Sequence, residues 1–371
     1  MTPVDLSTTV LHAVRRAVRE DALRAPVPAR VRVERTRPGG RGDYASAVAL
    51  QLAGPAGLGA REVAAILRDR LTGAPGVAGV EITGPGFLNF TLDATAGAAA
   101  HRDLVHRVRE EGERYGYGDA LAGQRPLLAH PREVRAAVTS DAVRRLLTAQ
   151  GADVRVSCDG EPDADWTRLG VSAEAYGREQ VEAPGAAAHA SAQAGTPLRP
   201  VRAGETAAEL LTRLGPDAAR WGLLRAAGHD RAPLGPELIA QTEANALFRV
   251  RYAHARARAV LRGADRLGAA VAGPGEDIDA TEASTALLAL LDAYPAVLVG
   301  AARHRAPDRL ARHLEAVAGA FFDFHDAAPP LPAGDEKPSA AHRSRTAVAE
   351  AAGTVLAGGL SLLGVSAPEH L

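Results

Sequence analysis

Four groups of side chains in this sequence have types and spacings suited to chemistry. His130, Pro131, Arg132 and Glu133 stand just before a long apolar-periodic run. A histidine at the start of a helix can contact phosphate, and an ordinary loop histidine is the alternative. Cys158 is followed by Asp159 but has no histidine nearby, so it reads as an inert buried thiol at a strand end. Arg32, Arg35, Arg37 and Arg41 flank the Gly39-Gly40 turn. Such a cluster can clamp backbone phosphates or form a solvated edge. Phe248, Arg249, Arg251, Tyr252, His254, Arg256 and Arg258 share one helical stretch. Helix geometry puts Arg249, Arg256 and Val260 on one stripe and Arg251, Ala255 and Arg258 on another. Arginines beside aromatic rings suit phosphate contact with base stacking, and a packed aromatic pair under a solvated arginine face is the alternative.

The composition bounds what these groups can do. The 371 residues allow two or three domains. Lys+Arg 43 against Asp+Glu 44 gives a net charge of −1, so polyanion contact must come from local patches. Lys337 is the only lysine, and the arginine bias is in part compositional. One cysteine excludes a disulfide framework and a multi-cysteine zinc site. No uninterrupted apolar run reaches the roughly 18 to 20 residues of a membrane span, and the N-terminus lacks an apolar signal core. The expectation is a soluble cytoplasmic chain with no metal and no membrane partner.

Three blocks must position the groups. Residues 1–120 read as a small α+β domain, with a helix from Pro3 to Arg24 and an edge strand around Val31 and Val33. A helical run follows from Asp43 through Tyr44, Val48 and Leu52, with another over Val63–Leu71. Strands at 80–82 and 87–92 flank the turn Gly84-Pro85-Gly86. Residues 124–200 hold one βαβ unit: a strand at 127–129, a helix from Pro131 to Gln150 and a strand at 154–156. Residues 182–200 then read as a linker. Residues 203–371 are helical, with helices expected at 206–227, 236–262, 281–302, 307–327 and 340–363, an antiparallel bundle.

Four segments, taken in order, carry a resemblance. They are Gly42-Asp43-Tyr44-Ala45-Ser46, Gly84-Pro85-Gly86-Phe87-Leu88-Asn89-Phe90, Tyr252-Ala253-His254-Ala255-Arg256 and the ending Leu362-Leu363-Gly364-Val365. The chain resembles the class I arginyl-tRNA synthetase family as a truncated paralogue. The first two segments match its N-terminal add-on domain, which meets the tRNA elbow. The last two match its C-terminal helical domain, named for an Asp-Ala-Leu-Arg motif that reads Asp217-Ala218-Ala219-Arg220 here. The resemblance implies tRNA contact at Arg35, Arg37, Arg41, Tyr44, Phe87, Asn89, Arg249, Tyr252, His254 and Arg256. Asn245 matches the family's Asn-Pro pair only in its first residue, which puts the local turn in question.

The middle departs from that family, whose His-x-Gly-His and Lys-Met-Ser-Lys segments handle the ATP triphosphate. Here the first reads His130-Pro131-Arg132-Glu133, with a carboxylate where phosphate oxygens would sit. The second reads Leu198-Arg199-Pro200-Val201 before Arg202, with both lysines gone. About 77 residues are too few for two βαβαβ halves, so the middle is a Rossmann remnant without catalytic residues or a cofactor. The fold expected is thus an α+β domain, a reduced α/β middle and an all-α bundle. The leading function is tRNA binding without aminoacylation, with a full-length synthetase or another protein as a further partner. The alternatives are an active arginine–tRNA ligase using ATP in an altered site around His130, Arg199 and Arg202, and a protein-interaction scaffold.

Overall fold

The computed structural model describes residues 3–36, 41–172, 196–269, 271–273, 275–278 and 281–371, except the side chains of 3–5, 35, 94–96 and 196. It divides into two compact units, 1–103 and 104–371.

The first unit lays helices on one face of an antiparallel sheet. Helix α1 (Pro3–Arg19) places Leu6, Val10, Val14 and Ala17 at the spacing that keeps one stripe buried. Strands β1 (Glu34–Arg35), β2 (Tyr44–Ser46), β3 (Val77–Thr83) and β4 (Phe87–Leu92) pair in the order β1-β2-β4-β3. Helices α2 (Val48–Ala56) and α3 (Ala60–Leu71) bring Leu52, Val63, Leu67 and Leu71 against Leu88 and Phe90. Three expectations change here. The first helix ends at Arg19, before Asp21 at φ 53°. The edge strand falls at Glu34–Arg35 rather than at Val31 and Val33. Tyr44 opens a strand rather than a helix, because the Asp43 N–H donates to Phe90 O and the Asp43 carboxylate accepts from Leu92 N. Gly42 makes this docking possible: at φ 73°, a Cβ would lie 2.7 Å from Phe90 O.

The second unit starts inside helix α4 (Ala94–Glu111), a helix absent from the sequence reading. Leu104, Val105, Val108 and Tyr115 belong to the second core, so the first unit is shorter than the 1–120 expected. Strand β5 (Leu127–Pro131), helix α5 (Val134–Ala149) and strand β6 (Arg155–Asp159) form the βαβ unit, with Leu127 opposite Arg155 in parallel register. Strand β7 (Thr196–Pro197) adds on the other side, giving an all-parallel order β6-β5-β7. Part of the expected linker is therefore sheet; residues 182–195 lie outside the described residues.

The bundle comprises α6 (Ala207–Arg225), α7 (Ala246–Arg266), α8 (Glu282–His304), α9 (Pro307–Ala327) and α10 (Ala340–Leu363). The helix expected from Pro236 is a short 3-10 turn over Pro236–Ile239, and α7 starts ten residues later than the sequence suggested. Asn245 accounts for that start. Its Oδ1 accepts from Leu247 and Phe248 N–H, and its Nδ2 donates to Leu238 and Ala240 carbonyls, so the turn forms without the family's proline. The βαβ unit is no separate body, since α5 packs on α6, α8, α9 and α10 within one core. Helices α8 and α10 reach span length with mean hydropathy 1.7 and 1.4, unlike the expectation from uninterrupted runs. For α10 the reason is packing: 83% of its apolar window is buried among neighbouring helices.

Candidate nucleic-acid interface

The βαβ unit brings segments 130–133 and 197–203 together and closes them on each other. His130 is a strand residue, 1% exposed, against Trp166 at 5.9 Å between ring centroids. Its Nδ1 lies 2.8 Å from Pro131 O, so the loop placement is corrected. Glu133 is the N-cap of α5. One carboxylate oxygen accepts from Ala136 N–H and the other from Ala203 N–H, each at 2.9 Å. A helix N-terminus favours an anion, and here the chain's own carboxylate occupies it.

The second segment is tied down by backbone as well. Leu198 N–H donates to Ala129 O at 2.8 Å and Val201 N–H to Gly228 O at 2.7 Å. Arg135, in the first turn of α5 and 1% exposed, donates to the carbonyls of Leu223, Val201, Asp230, Ala226 and Ala227. Sequence reading missed this residue, whose partners lie 66 to 95 positions away. Arg199 and Arg202 are exposed and make no side-chain hydrogen bond among the described residues. Cys158 is buried in β6, where burial pushes its thiol up, as an inert thiol should behave.

In the first unit the sheet has one face on the helices and one away from them. Cross-strand pairing puts Glu81, Asn89 and Ala45 side by side on the outer face, with Phe87 two residues from Asn89. Phe87 is exposed, and Arg41 reaches this face through an ion pair to Glu81 at 3.2 Å. Asn89 is buried on it, donating from Nδ2 to Thr83 Oγ1 at 2.6 Å. Gly86 shapes the approach: at φ 138°, a Cβ would meet the Ala60 carbonyl at 2.8 Å. Tyr44 faces inward and belongs to the core, so it is no surface contact. Arg37 and the side chain of Arg35 lie outside the described residues.

On α7 the two arginine stripes part company. Arg251 reaches Ser366 Oγ at 3.3 Å, Arg258 pairs with Glu369 at 2.9 Å, and Arg262 donates to Glu369 O at 3.2 Å. That stripe clamps the segment 366–370. His254, 4% exposed, lies under it with Nδ1 2.9 Å from Pro368 O. It is a packing residue rather than a surface contact.

The other stripe, Arg249 and Arg256, faces outward beside an aromatic column. Phe248 and Tyr252 stack at 5.6 Å and 6°, and Tyr252 stacks on Phe322 of α9 at 5.7 Å and 27°. Arg256 Nε lies 3.4 Å from His325 Nε2. These groups line an open cavity of about 870 Å³ with Asp323 and Asp326. Tyr252 is 39% exposed, a large ring open to stacking above its own column. Phe322 and the α9 carboxylates could not be inferred from the α7 sequence.

The motif Asp217-Ala218-Ala219-Arg220 has a structural use. Asp217 accepts from the Ser366 N–H and hydroxyl, and Arg220, buried, binds Asp141 and the carbonyls of Leu363 and Leu169.

Burial lowers the imidazole pKa of His130, His254 and His313, with carbonyl contacts only partly offsetting it. The unfolded chain therefore binds more protons than the folded one. Stability is complete above the ordinary histidine range and falls as pH drops below about 6.5. The urea midpoint should be lower at pH 5.5 than at pH 7.5; an unchanged or higher midpoint would contradict this.

Two family models match the chain. One, described as the arginyl tRNA synthetase N terminal domain, matches residues 5–92, and the DALR anticodon binding domain matches residues 250–371. The arginine–tRNA ligase of Renibacterium salmoninarum is 29% identical over 562 aligned positions, and that of Paenarthrobacter aurescens 28% over 556. Each alignment covers both chains in full, and this chain brings 371 residues to it. Among solved structures, Thermus thermophilus arginyl-tRNA synthetase aligns with a TM-score of 0.67 at 15% identity, over all of both chains. The Plasmodium falciparum enzyme aligns at 0.65 and 9%, over all of this chain and 99% of that one. These two likenesses speak to the fold. The chain thus carries an arginyl-tRNA synthetase N-terminal domain and a DALR anticodon-binding domain, and it is similar to arginine–tRNA ligases along its whole length.

Proposed function

We propose that this chain is a tRNA-binding member of its family that makes no arginyl-adenylate. The observation that carries the reading is Glu133, whose carboxylate caps α5 and holds Ala203 N–H. Phosphate oxygens brought to that helix end would meet a like charge instead of free N–H donors. The Arg249/Arg256 stripe with its aromatic column supplies what a single-stranded loop needs, cations for phosphates and an open ring for a base. Arg41 and Phe87 add a smaller contact surface on the first unit.

The test has two measurements on the purified chain. Arginine-dependent ATP–pyrophosphate exchange should stay at background, and exchange above it would sink the inactive reading. A gel shift with total tRNA should show a complex that weakens steeply with salt. For six or more phosphate contacts the loss is on the order of 10³ or more between about 50 and 200 mM. No complex at low salt would refute tRNA binding.

A further inference from the structure

A second charged cavity, of about 580 Å³, lies where α5 and the turn 226–230 face the α8–α9 corner. The corner reads Arg303-His304-Arg305-Ala306-Pro307-Asp308-Arg309, with Arg312 one turn on. Arg305, Arg309 and Arg312 line the cavity with His304. The side chains of His304, Arg305 and Arg309 have no hydrogen-bond or ion-pair partner among the described residues. Asp308 is engaged by Arg312, and Asp230 pairs with His229 at 3.7 Å.

The floor makes this more than a basic surface. Arg135 lines the same cavity, buried, and all five of its hydrogen bonds go to neutral backbone carbonyls. Its charge therefore has no directly bonded carboxylate. Glu133, Asp230 and Asp308 offset that charge through space, but the cavity lining still carries four arginines against two aspartates. Arg305 adds a further oddity, because it sits at φ 51° as the cap of α8, a position where glycine is the favoured residue. The helix cap would be more stable as glycine, yet a cation stands there facing the cavity.

We propose that this corner binds a phosphate group, held by Arg305 and Arg309 over the fixed charge of Arg135. The phosphate could be part of an RNA backbone or of a free nucleotide, and the two sources are separated by experiment. The site stands apart from the aromatic column and does not depend on it. Pyrophosphate is the probe, titrated calorimetrically at low salt into the wild-type chain, the R305G/R309A double variant and an R303A control. Arg303 is exposed and does not line the cavity.

Wild type and R303A should bind pyrophosphate, and the double variant should bind at least about tenfold more weakly. The melting temperature of the double variant should hold or rise, which excludes unfolding as the cause. If the ligand is RNA, the double variant should also lower the salt slope of tRNA binding by about two. An unchanged slope with weakened pyrophosphate binding assigns the site to a free nucleotide. Equal pyrophosphate and tRNA binding by wild type and double variant would overturn the site while leaving tRNA recognition elsewhere intact. Variant-sensitive pyrophosphate binding in a chain that fails to bind tRNA would uphold the site and remove the tRNA reading.

Discussion

Replacing Asp141 by alanine should destabilise the second unit by about 3–5 kcal/mol, the scale for removing one partner of a buried ion pair. Asp141 is buried in α5 and faces three arginines: Arg220 bonds it directly, Arg145 at 2.8 Å and Arg144 at 3.0 Å. Without the carboxylate, Arg220 keeps its bonds to Leu363 O and Leu169 O but loses, among the described residues, its only directly bonded anion. That one guanidinium joins α5, the 3-10 turn at 164–169 and the end of α10, so the loss should spread through the unit. Burial by itself would raise the Asp141 pKa, but Arg220 and Arg145 outweigh it and hold the carboxyl below its ordinary value. The contribution is thus complete above about pH 4 and disappears as pH falls through the lowered value. D141A measured by urea unfolding at pH 7 should show the large loss. A loss under about 1 kcal/mol would mean that the network adds little.

Tyr252→Ala should weaken tRNA binding by about 1–3 kcal/mol, roughly 5- to 150-fold, the range for removing a ring that stacks on a base. Tyr252→Phe should bind within about threefold of wild type, because it retains the aromatic face. Tyr252 is the middle ring of the column and its most open member, so its removal also unpairs Phe248 from Phe322. The substitution is at the surface, and melting temperatures for both variants separate a binding loss from a folding loss. Equal tRNA affinity for Y252A and wild type would exclude the column as the contact.

The bundle was legible because its signal is local. Helices beginning at Pro307 and Ala340 match the periodic runs read from the sequence, as a buried helical stripe repeats every three to four residues whatever it packs against. The βαβ unit was legible for the same reason, with a proline before the helix and glycine after it. The first unit was read less well. Tyr44 has helical neighbours in sequence, but Asp43 and Gly42 dock it on β4, and nothing local announces a partner 46 residues away.

The sequence by itself determined the two terminal domains, the central βαβ unit and most of the helices of the bundle, because each is a matter of residue type and short-range spacing. Tertiary structure decided what the polar side chains do. It turned Arg251, Arg258 and Arg262 toward the segment 366–370 and left Arg249 and Arg256 open, although all five share one helix. It buried His254 and Tyr44, and it seated Glu133 in the helix end. Apolar periodicity selects a buried face, whereas a hydrogen-bond partner is chosen by which distant segments the packed core brings within about 3 Å.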